Sequence, residues 1–305
     1  MEKFEVTILG CGSALPTTKH NQTSQIVNFR DKLFMIDCGE GTQLQFRKAK
    51  FKFSRLGHIF ISHLHGDHCF GLLGLISTFG MLGRTADLYI HSPKGLENLM
   101  LPALNYFCKQ NGFRVIFKEY DTKVHTLIYE DRSLQVYSIP LKHRIPCSGF
   151  IFQEKKGLNH INREQVDFHN VPIYELNRLK AGLDYITPSG EVISNDILTF
   201  PAKEPRSYAY CSDTAYYEPV IEYIRGVNLL FHEATFAESE LKRAQETNHS
   251  TAKQAATIAL MAGVKKLLIG HFSARYPNES KLLAEAKTVF QNVDSVAELK
   301  TYFIE

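Results

Sequence analysis

Four potential metal ligands fall within a six-residue span behind an apolar run: His63, His65, Asp67 and His68 in Ile59-Phe60-Ile61-Ser62-His63-Leu64-His65-Gly66-Asp67-His68. Imidazole and carboxylate suit zinc or a similar borderline cation. If the strand continues, His63 and His65 point to one side, because side chains alternate along it. A tight turn at Gly66 can then send Asp67 and His68 toward a second point nearby. One loop can therefore serve two adjacent metals, the usual device for in-line displacement at a phosphoester. A lone histidine after a strand is ordinarily a satisfied core or surface residue; four such residues packed together are not. The run does not name a reaction, since hydrolases of thioesters, lactams and phosphodiesters can all use it.

Three later segments each place one more ligand just past an apolar strand: His143 after Leu134 to Ile139, Asp213 after Tyr208 to Cys211, and His271 after Lys266 to Ile269. Taken singly, an Asp in such a place is more often a turn or cap residue. Together they complete a coordination count: His63, His65 and His143 for one ion, Asp67, His68 and His271 for the other, Asp213 bridging both. Two further histidines stand out, His232 in Phe231-His232-Glu233-Ala234-Thr235 and His249 in Asn248-His249-Ser250-Thr251. A histidine beside a helix N-terminus loses its proton readily, and a carboxylate partner such as Glu233 restores its proton affinity. A Glu233–His249 pair near the metals would suit proton donation to a leaving oxygen.

The elements that must position these groups read as short strands: Glu5 to Leu9, Ser24 to Phe29, Lys32 to Ile36, His58 to Ile61, Asp87 to Ile90, Arg114 to Phe117, Leu134 to Ile139 and Gly149 to Phe152. A second series follows at Tyr208 to Cys211, Asn228 to Phe231, Lys266 to Ile269 and Lys300 to Phe303. Helical patterns fall at Gly41 to Ala49, Gly71 to Leu82, Lys94 to Phe107, Ser250 to Met261 and Ser280 to Phe290. This α/β order predicts two sheets packed face to face with helices outside. Residues 154 to 206 carry weak periodicity and several prolines, and read as an excursion from the core, a protruding arm.

A chain of 305 residues, 44% hydrophobic and 22% charged, can bury a substantial core. The net charge of +3 neither demands nor excludes a nucleic-acid partner. The six cysteines, Cys11, Cys38, Cys69, Cys108, Cys147 and Cys211, form no C-x-x-C pair, which argues against a disulfide framework or cysteine zinc site. Met1 to Gly10 alternates like a strand, so no signal peptide is expected. No apolar run of roughly 18 residues occurs, so no membrane span is expected either. A reducing cytoplasm fits these features.

The order of motifs resembles the ribonuclease Z family, the tRNA 3′-processing endonucleases of the metallo-β-lactamase superfamily, in their short bacterial form. The resemblance rests on Gly10-Cys11-Gly12-Ser13, Asp37-Cys38-Gly39-Glu40-Gly41-Thr42-Gln43, the Ser62 to His68 run, His143, Ser212-Asp213-Thr214, His232-Glu233-Ala234-Thr235-Phe236, His249-Ser250-Thr251 and His271-Phe272-Ser273-Ala274-Arg275-Tyr276. It covers nearly the whole chain. It implies a four-layer αββα sandwich and a homodimer; the chain reads as one domain, 1–305, with 154–206 as an inserted flexible arm and candidate exosite. It also implies two Zn2+ per chain held as above, with Mn2+ or Fe2+ as substitutes. Asp67 would also orient the attacking water, and His249, supported by Glu233, would assist the leaving group. The expected substrate is precursor tRNA, with no DNA or membrane partner. Cleavage just after the discriminator base would leave a 3′-hydroxyl tRNA and a 5′-phosphate trailer. Rival readings are a small-molecule phosphodiesterase or thioesterase of the same fold, and a non-catalytic RNA-binding protein with structural zinc.

Three departures from the family pattern are visible. His20-Asn21 stands where Arg-Asn is frequent, Gly270 where a hydroxyl residue is frequent, and the excursion lacks a Gly-Pro motif. The excursion carries seven Lys/Arg against eight Asp/Glu, a formal net of −1. By contrast, Phe46 to Arg55 holds five cations and no acid, with phenylalanines interleaved. Its Lys48, Lys50 and Lys52 are candidates for phosphate contact, the phenylalanines for stacking or for the core. Lys142, Arg144 and Arg275 flank the ligands, where a phosphate chain would approach; Arg275 is the candidate substrate contact among them.

Overall fold

The computed structural model describes residues 2–305, so Met1 lies outside the described residues. Fourteen strands form two seven-stranded sheets. The first runs Thr301–Phe303, Phe4–Gly10, Ser24–Phe29, Lys32–Ile36, Leu56–Phe60, Leu88–Pro93, Val115–Tyr120 in spatial order. The second runs Val293–Ser295, Lys266–Gly270, Leu229–Glu233, Ser207–Cys211, Ser148–Glu154, Leu134–Pro140, Thr126–Glu130. Each sheet contains a parallel block: Lys32–Ile36 through Val115–Tyr120 in the first, and Ser207–Cys211 through Val293–Ser295 in the second. Parallel strands covered on both faces need continuous apolar runs, and Leu229–Glu233 is buried at every position.

Aromatic side chains join the inner faces. Phe60 lies 5.5 Å from Phe152 and 5.6 Å from Phe150, ring centre to ring centre, and Phe34 lies 5.9 Å from Phe152. On the outer face of the first sheet, Phe46, Leu72, Leu75, Ile76, Phe79 and Leu96 bring three helices into one cluster with the strand residues Ile26, Met35, Ile59 and Ile90. Helix Ala252–Ala262 packs on the strands Leu229–Glu233 and Lys266–Gly270 of the second. The layers are therefore helix, sheet, sheet, helix, as expected.

That last helix starts at Ala252, two residues later than its apolar pattern suggests, because Thr251 is its cap. The Thr251 hydroxyl accepts from Gln254 N and the Gln254 side chain accepts from Thr251 N, a reciprocal capping box. Gly263, at φ 63°, closes its other end.

The strands Thr126–Glu130 and Val293–Ser295 and the short helices Val220–Ile224 and Leu241–Thr247 have too few residues to show a period, and pattern reading missed them. Gly66 is a correction as well. It opens the short helix Gly66–Cys69, with His65 extended just before it, and does not form a tight turn.

Residues 130–135 and 153–205 make a second compact unit. The excursion read at 154–206 has internal structure of its own. Val166, Val171, Leu179, Tyr185, Ile193 and Leu198 form a core of its own, assembled from helices of four to six residues and two-residue strand pairings. Elements so short leave no helical or strand periodicity to read. Among the described residues no helix is long and apolar enough to cross a membrane.

Candidate active site and metal centre

Every predicted ligand sits just beyond the C-terminal end of a strand, where open α/β sheets place their sites. His63 and His65 follow Leu56–Phe60, and Asp67 and His68 lie in the short helix after them. His143, Asp213 and His271 follow Leu134–Pro140, Ser207–Cys211 and Lys266–Gly270. The parallel register aligns Cys211 with His232 and Ile269, which brings Asp213, Glu233 and His271 to one edge.

The ligand atoms converge in the two groups anticipated. In the first, His65 Nδ1 lies 3.0 Å from His63 Nε2 and 3.3 Å from His143 Nε2, and Asp213 Oδ2 lies 3.7 Å from His63 Nε2. In the second, Asp213 Oδ1 lies 3.4 Å from His68 Nε2 and 3.2 Å from His271 Nε2, and Asp67 Oδ2 lies 3.3 Å from His68 Nε2. Asp213 thus offers one oxygen to each group. Asp67 Oδ2, His68 Nε2 and His271 Nε2 are buried and make no hydrogen bond. Buried polar atoms without partners are costly, and a divalent cation among them would satisfy all three. The donor set therefore fits a metal centre.

Electrostatics agrees. Burial pushes His63, His65 and His143 below the usual imidazole range, and neutral imidazole is the ligating form. Burial alone would raise Asp213 and Asp67, but the facing histidines hold both carboxyls well down in their charged form. His68 is the opposite case: burial alone would lower it, and Asp213, Asp37 and Asp67 together lift it. The carboxylates demand positive charge at this point, as a cation would supply.

Hydrogen bonds from outside fix the rings. Asp37 Oδ2 lies 2.7 Å from His68 Nδ1 and accepts from Tyr210 Oη at 2.7 Å, while Asp37 Oδ1 accepts from Ser62 N at 2.7 Å. His143 Nδ1 lies 2.9 Å from the Asn248 carbonyl and His271 Nδ1 lies 2.9 Å from Thr235 Oγ1. Such partners orient metal-binding imidazoles. Sequence reading gave no role to Asp37 and Thr235. Asp37 was within reach, since it ends the apolar run Leu33–Ile36 just as Asp213 follows its own strand. Gly39 permits the close approach here: a Cβ there would lie 2.6 Å from the Asp67 carbonyl.

Glu233 is fully buried and accepts from Thr214 N, Thr235 N and Thr235 Oγ1 at 3.0, 3.1 and 2.7 Å. Its Oε1 lies 2.8 Å from His249 Nδ1. Burial alone would lower His249, yet the Glu233 carboxylate lifts it to about 9. The carboxylate thus favours the acid form of the ring. The ring lines a cleft of about 380 Å³ with His65, Asp67, His143, Asp213 and His271. His232 is not part of this site: it is buried inside its strand with Nδ1 2.7 Å from the Glu233 carbonyl.

Arg275 and Arg144 line the cleft, joined by Arg243, which sequence reading passed over. Arg275 is paired with Glu240 and lies 4.9 Å above the Phe236 ring. The basic stretch splits in two. Lys48, Lys50 and Lys52 are exposed, whereas Phe46 is fully buried and Phe51 and Phe53 pack against the same core. The phenylalanines pack in or against the core.

A family model described as "Anti-Pycsar protein Apyc1" matches residues 4–155. Human short-form tRNase Z superposes over 99% of both chains with a TM-score of 0.71 at 24% identity. A metallo-beta-lactamase fold protein from Bacillus subtilis superposes over 99% of both with 0.68 at 17%. These two likenesses establish the fold. Ribonuclease Z of Bacteroides fragilis strain YCH46 is 68% identical over 292 residues, 96% of each chain. Ribonuclease Z of Porphyromonas gingivalis strain W83 is 54% identical, covering 95% of this chain and 96% of that one. The chain belongs to the ribonuclease Z family.

Within this ribonuclease Z sequence, the unusual Gly270 has a packing cause. A Cβ there would lie 2.5 Å from the Phe231 ring. Phe231 in turn stacks on Tyr210 at 5.0 Å and 14°, and Tyr210 holds Asp37. The small residue makes room for the stack that steadies His68.

Proposed function

We propose that this ribonuclease Z family member removes the 3′ trailer from precursor tRNA as a metal-dependent endoribonuclease, cutting after the discriminator base. The observation that supports it most is the pair of ligand groups sharing Asp213, with His249 paired to Glu233 in the same cleft. Two Zn2+ ions are the proposed occupants: one with His63, His65, His143 and Asp213, the other with Asp67, His68, Asp213 and His271. When bound, such ions stabilise charge on the phosphoryl oxygens and acidify water. Asp67, at the cleft wall, orients the attacking water. Glu233 occupies His249 Nδ1, which leaves Nε2 to hand its proton to the departing 3′ oxygen. Arg275, Arg144 and Arg243 supply positive charge for the flanking phosphates. The protein is proposed to act as a cytoplasmic homodimer without a DNA or membrane partner. A small-molecule phosphodiesterase would favour bis(p-nitrophenyl) phosphate over precursor tRNA in specificity constant, and a thioesterase would prefer an acyl thioester to either. The proposal requires precursor tRNA to be preferred, and a non-catalytic RNA-binding protein would turn over none of these.

A proton donor lifted to about 9 is in its acid form below that pH and loses the proton above it. The specificity constant on precursor tRNA should therefore fall on an alkaline limb, at or below pH 9 because bound dications would lower it. On bis(p-nitrophenyl) phosphate, whose leaving group needs no proton, this limb should be absent. A limb of equal position and depth on both substrates would assign it to the water or the metals.

RNA grip is proposed to be divided. Lys48, Lys50 and Lys52 supply phosphate contacts, and the smaller unit, formally near neutral, presents exposed Phe168, Ile173 and Tyr174 for stacking and shape. Changing the three lysines together to alanine should weaken precursor tRNA binding. It should also flatten the dependence of log K on log salt by roughly 0.7–0.9 per lost contact. Hydrolysis of bis(p-nitrophenyl) phosphate should persist. An unchanged slope, with binding abolished by Tyr174→Ala, would assign the grip to the smaller unit alone.

A further inference from the structure

A separate cluster of ligand-type side chains lies apart from the site above. Cys11 follows the strand Phe4–Gly10, His20 comes nine residues later, and Glu298 precedes Thr301–Phe303. One donor atom from each lies within 4.8 Å of the others. Cys11 Sγ is 3.4 Å and Glu298 Oε1 is 3.8 Å from His20 Nδ1.

Two of the donors are held from behind. Glu298 accepts from Asn21 N at 2.6 Å, Asn21 Nδ2 at 2.5 Å and Gln45 Nε2 at 2.8 Å. Glu279 Oε1 lies 2.9 Å from His20 Nε2. Nε2–H therefore donates outward to a carboxylate while Nδ1 faces Cys11 and Glu298, the arrangement that orients metal-binding imidazoles. Cys11 is buried, while the His20 and Glu298 side chains remain 18% and 16% exposed, leaving an entry for a small ion. Among the described residues, His20 is the only basic group within 4.0 Å of Glu298.

We propose that Cys11, His20 and Glu298 form an additional metal site for Zn2+ or another thiophilic divalent cation. Thiolate, imidazole and carboxylate are a zinc-type donor set, with water in the fourth position. As the metal–sulfur bond forms, the Cys11 thiol proton passes to solvent. Burial, followed by Glu298 and Glu279, pushes this thiol up. The site would brace the cleft rim. Phe272 N donates to the Cys11 carbonyl at 2.8 Å and Ser13 N to the Phe272 carbonyl at 3.1 Å. Phe272 directly follows His271, and Ser13 and Ala14 line the cleft.

The catalytic groups contain no thiolate, which makes the two kinds of site spectroscopically distinct. Full-length metal-free protein titrated with Co2+ should develop near-ultraviolet sulfur-to-cobalt charge-transfer absorption equivalent to one thiolate per chain. That band should vanish in Cys11→Ser and in His20→Ala. It should persist in Cys69→Ser, which removes the thiol that donates to the His65 carbonyl. If Cys11→Ser does not fold, His20→Ala reads the same bond, since the ring is partly exposed. Cobalt loading without charge-transfer absorption, or a band unchanged in both variants, would overturn the site and leave the cluster as an ion-pair network. Neither outcome depends on which RNA the enzyme cuts.

Discussion

Asp213→Ala should lose both metal and turnover. Among the described residues, Asp213 is the one that faces both ligand groups, with Oδ2 toward His63 and Oδ1 toward His68 and His271. It is almost fully buried, so no solvent oxygen replaces it without rearrangement. Loss of an outer-shell partner typically costs roughly 10–100-fold in metal affinity, and removal of a shared ligand should exceed that. Elemental analysis after gentle purification should drop from near two catalytic metals per chain. Hydrolysis of precursor tRNA and of bis(p-nitrophenyl) phosphate should fall together, since both need the metals. Full metal content with retained turnover would remove the dinuclear arrangement.

His249→Ala should behave differently. The ring contributes to neither ligand group that contains Asp213, and its Nδ1 is committed to Glu233. Metal content should therefore survive, while turnover on precursor tRNA falls on the order of 10²–10⁴, the usual contribution of a positioned general acid. The loss should be much smaller on bis(p-nitrophenyl) phosphate. Equal losses on both substrates, or loss of metal, would make His249 a structural residue. Glu233→Gln should share the leaving-group signature. A neutral amide keeps the contact but no longer holds the proton on His249.

The site was legible in the sequence to a degree that the smaller unit was not. His63, His65, Asp67 and His68 announce themselves because one loop carries them. His143, Asp213 and His271 share a simple signal, a ligand type immediately past an apolar strand, and parallel register then brings the strand ends together. The pairing of His249 with Glu233 needs a long-range contact. It was reachable only because His249 stands beside a helix start and Glu233 beside a strand end. The residues behind the ligands were missed because nothing local marks them. Tyr210 reads as an ordinary strand residue, and its bond to Asp37 is set by how the two sheets face each other. The internal structure of residues 153–205 escaped for a different reason: Val166, Leu179 and Leu198 come from helices too short for a period to emerge. The phenylalanines of 46–53 show the limit of composition, since alternation with lysine fits a binding face and a core edge equally, and packing places them at the core edge.

The central claim is hydrolytic endonucleolytic cleavage of precursor tRNA with water as the nucleophile. It is tested most directly by mapping both product ends after metal-loaded protein acts on a labelled precursor. The expected products are a tRNA ending in a 3′-hydroxyl at the discriminator base and a trailer beginning with a 5′-phosphate. A 2′,3′-cyclic phosphate on the tRNA, a 5′-hydroxyl trailer, or trimming by single nucleotides would contradict it.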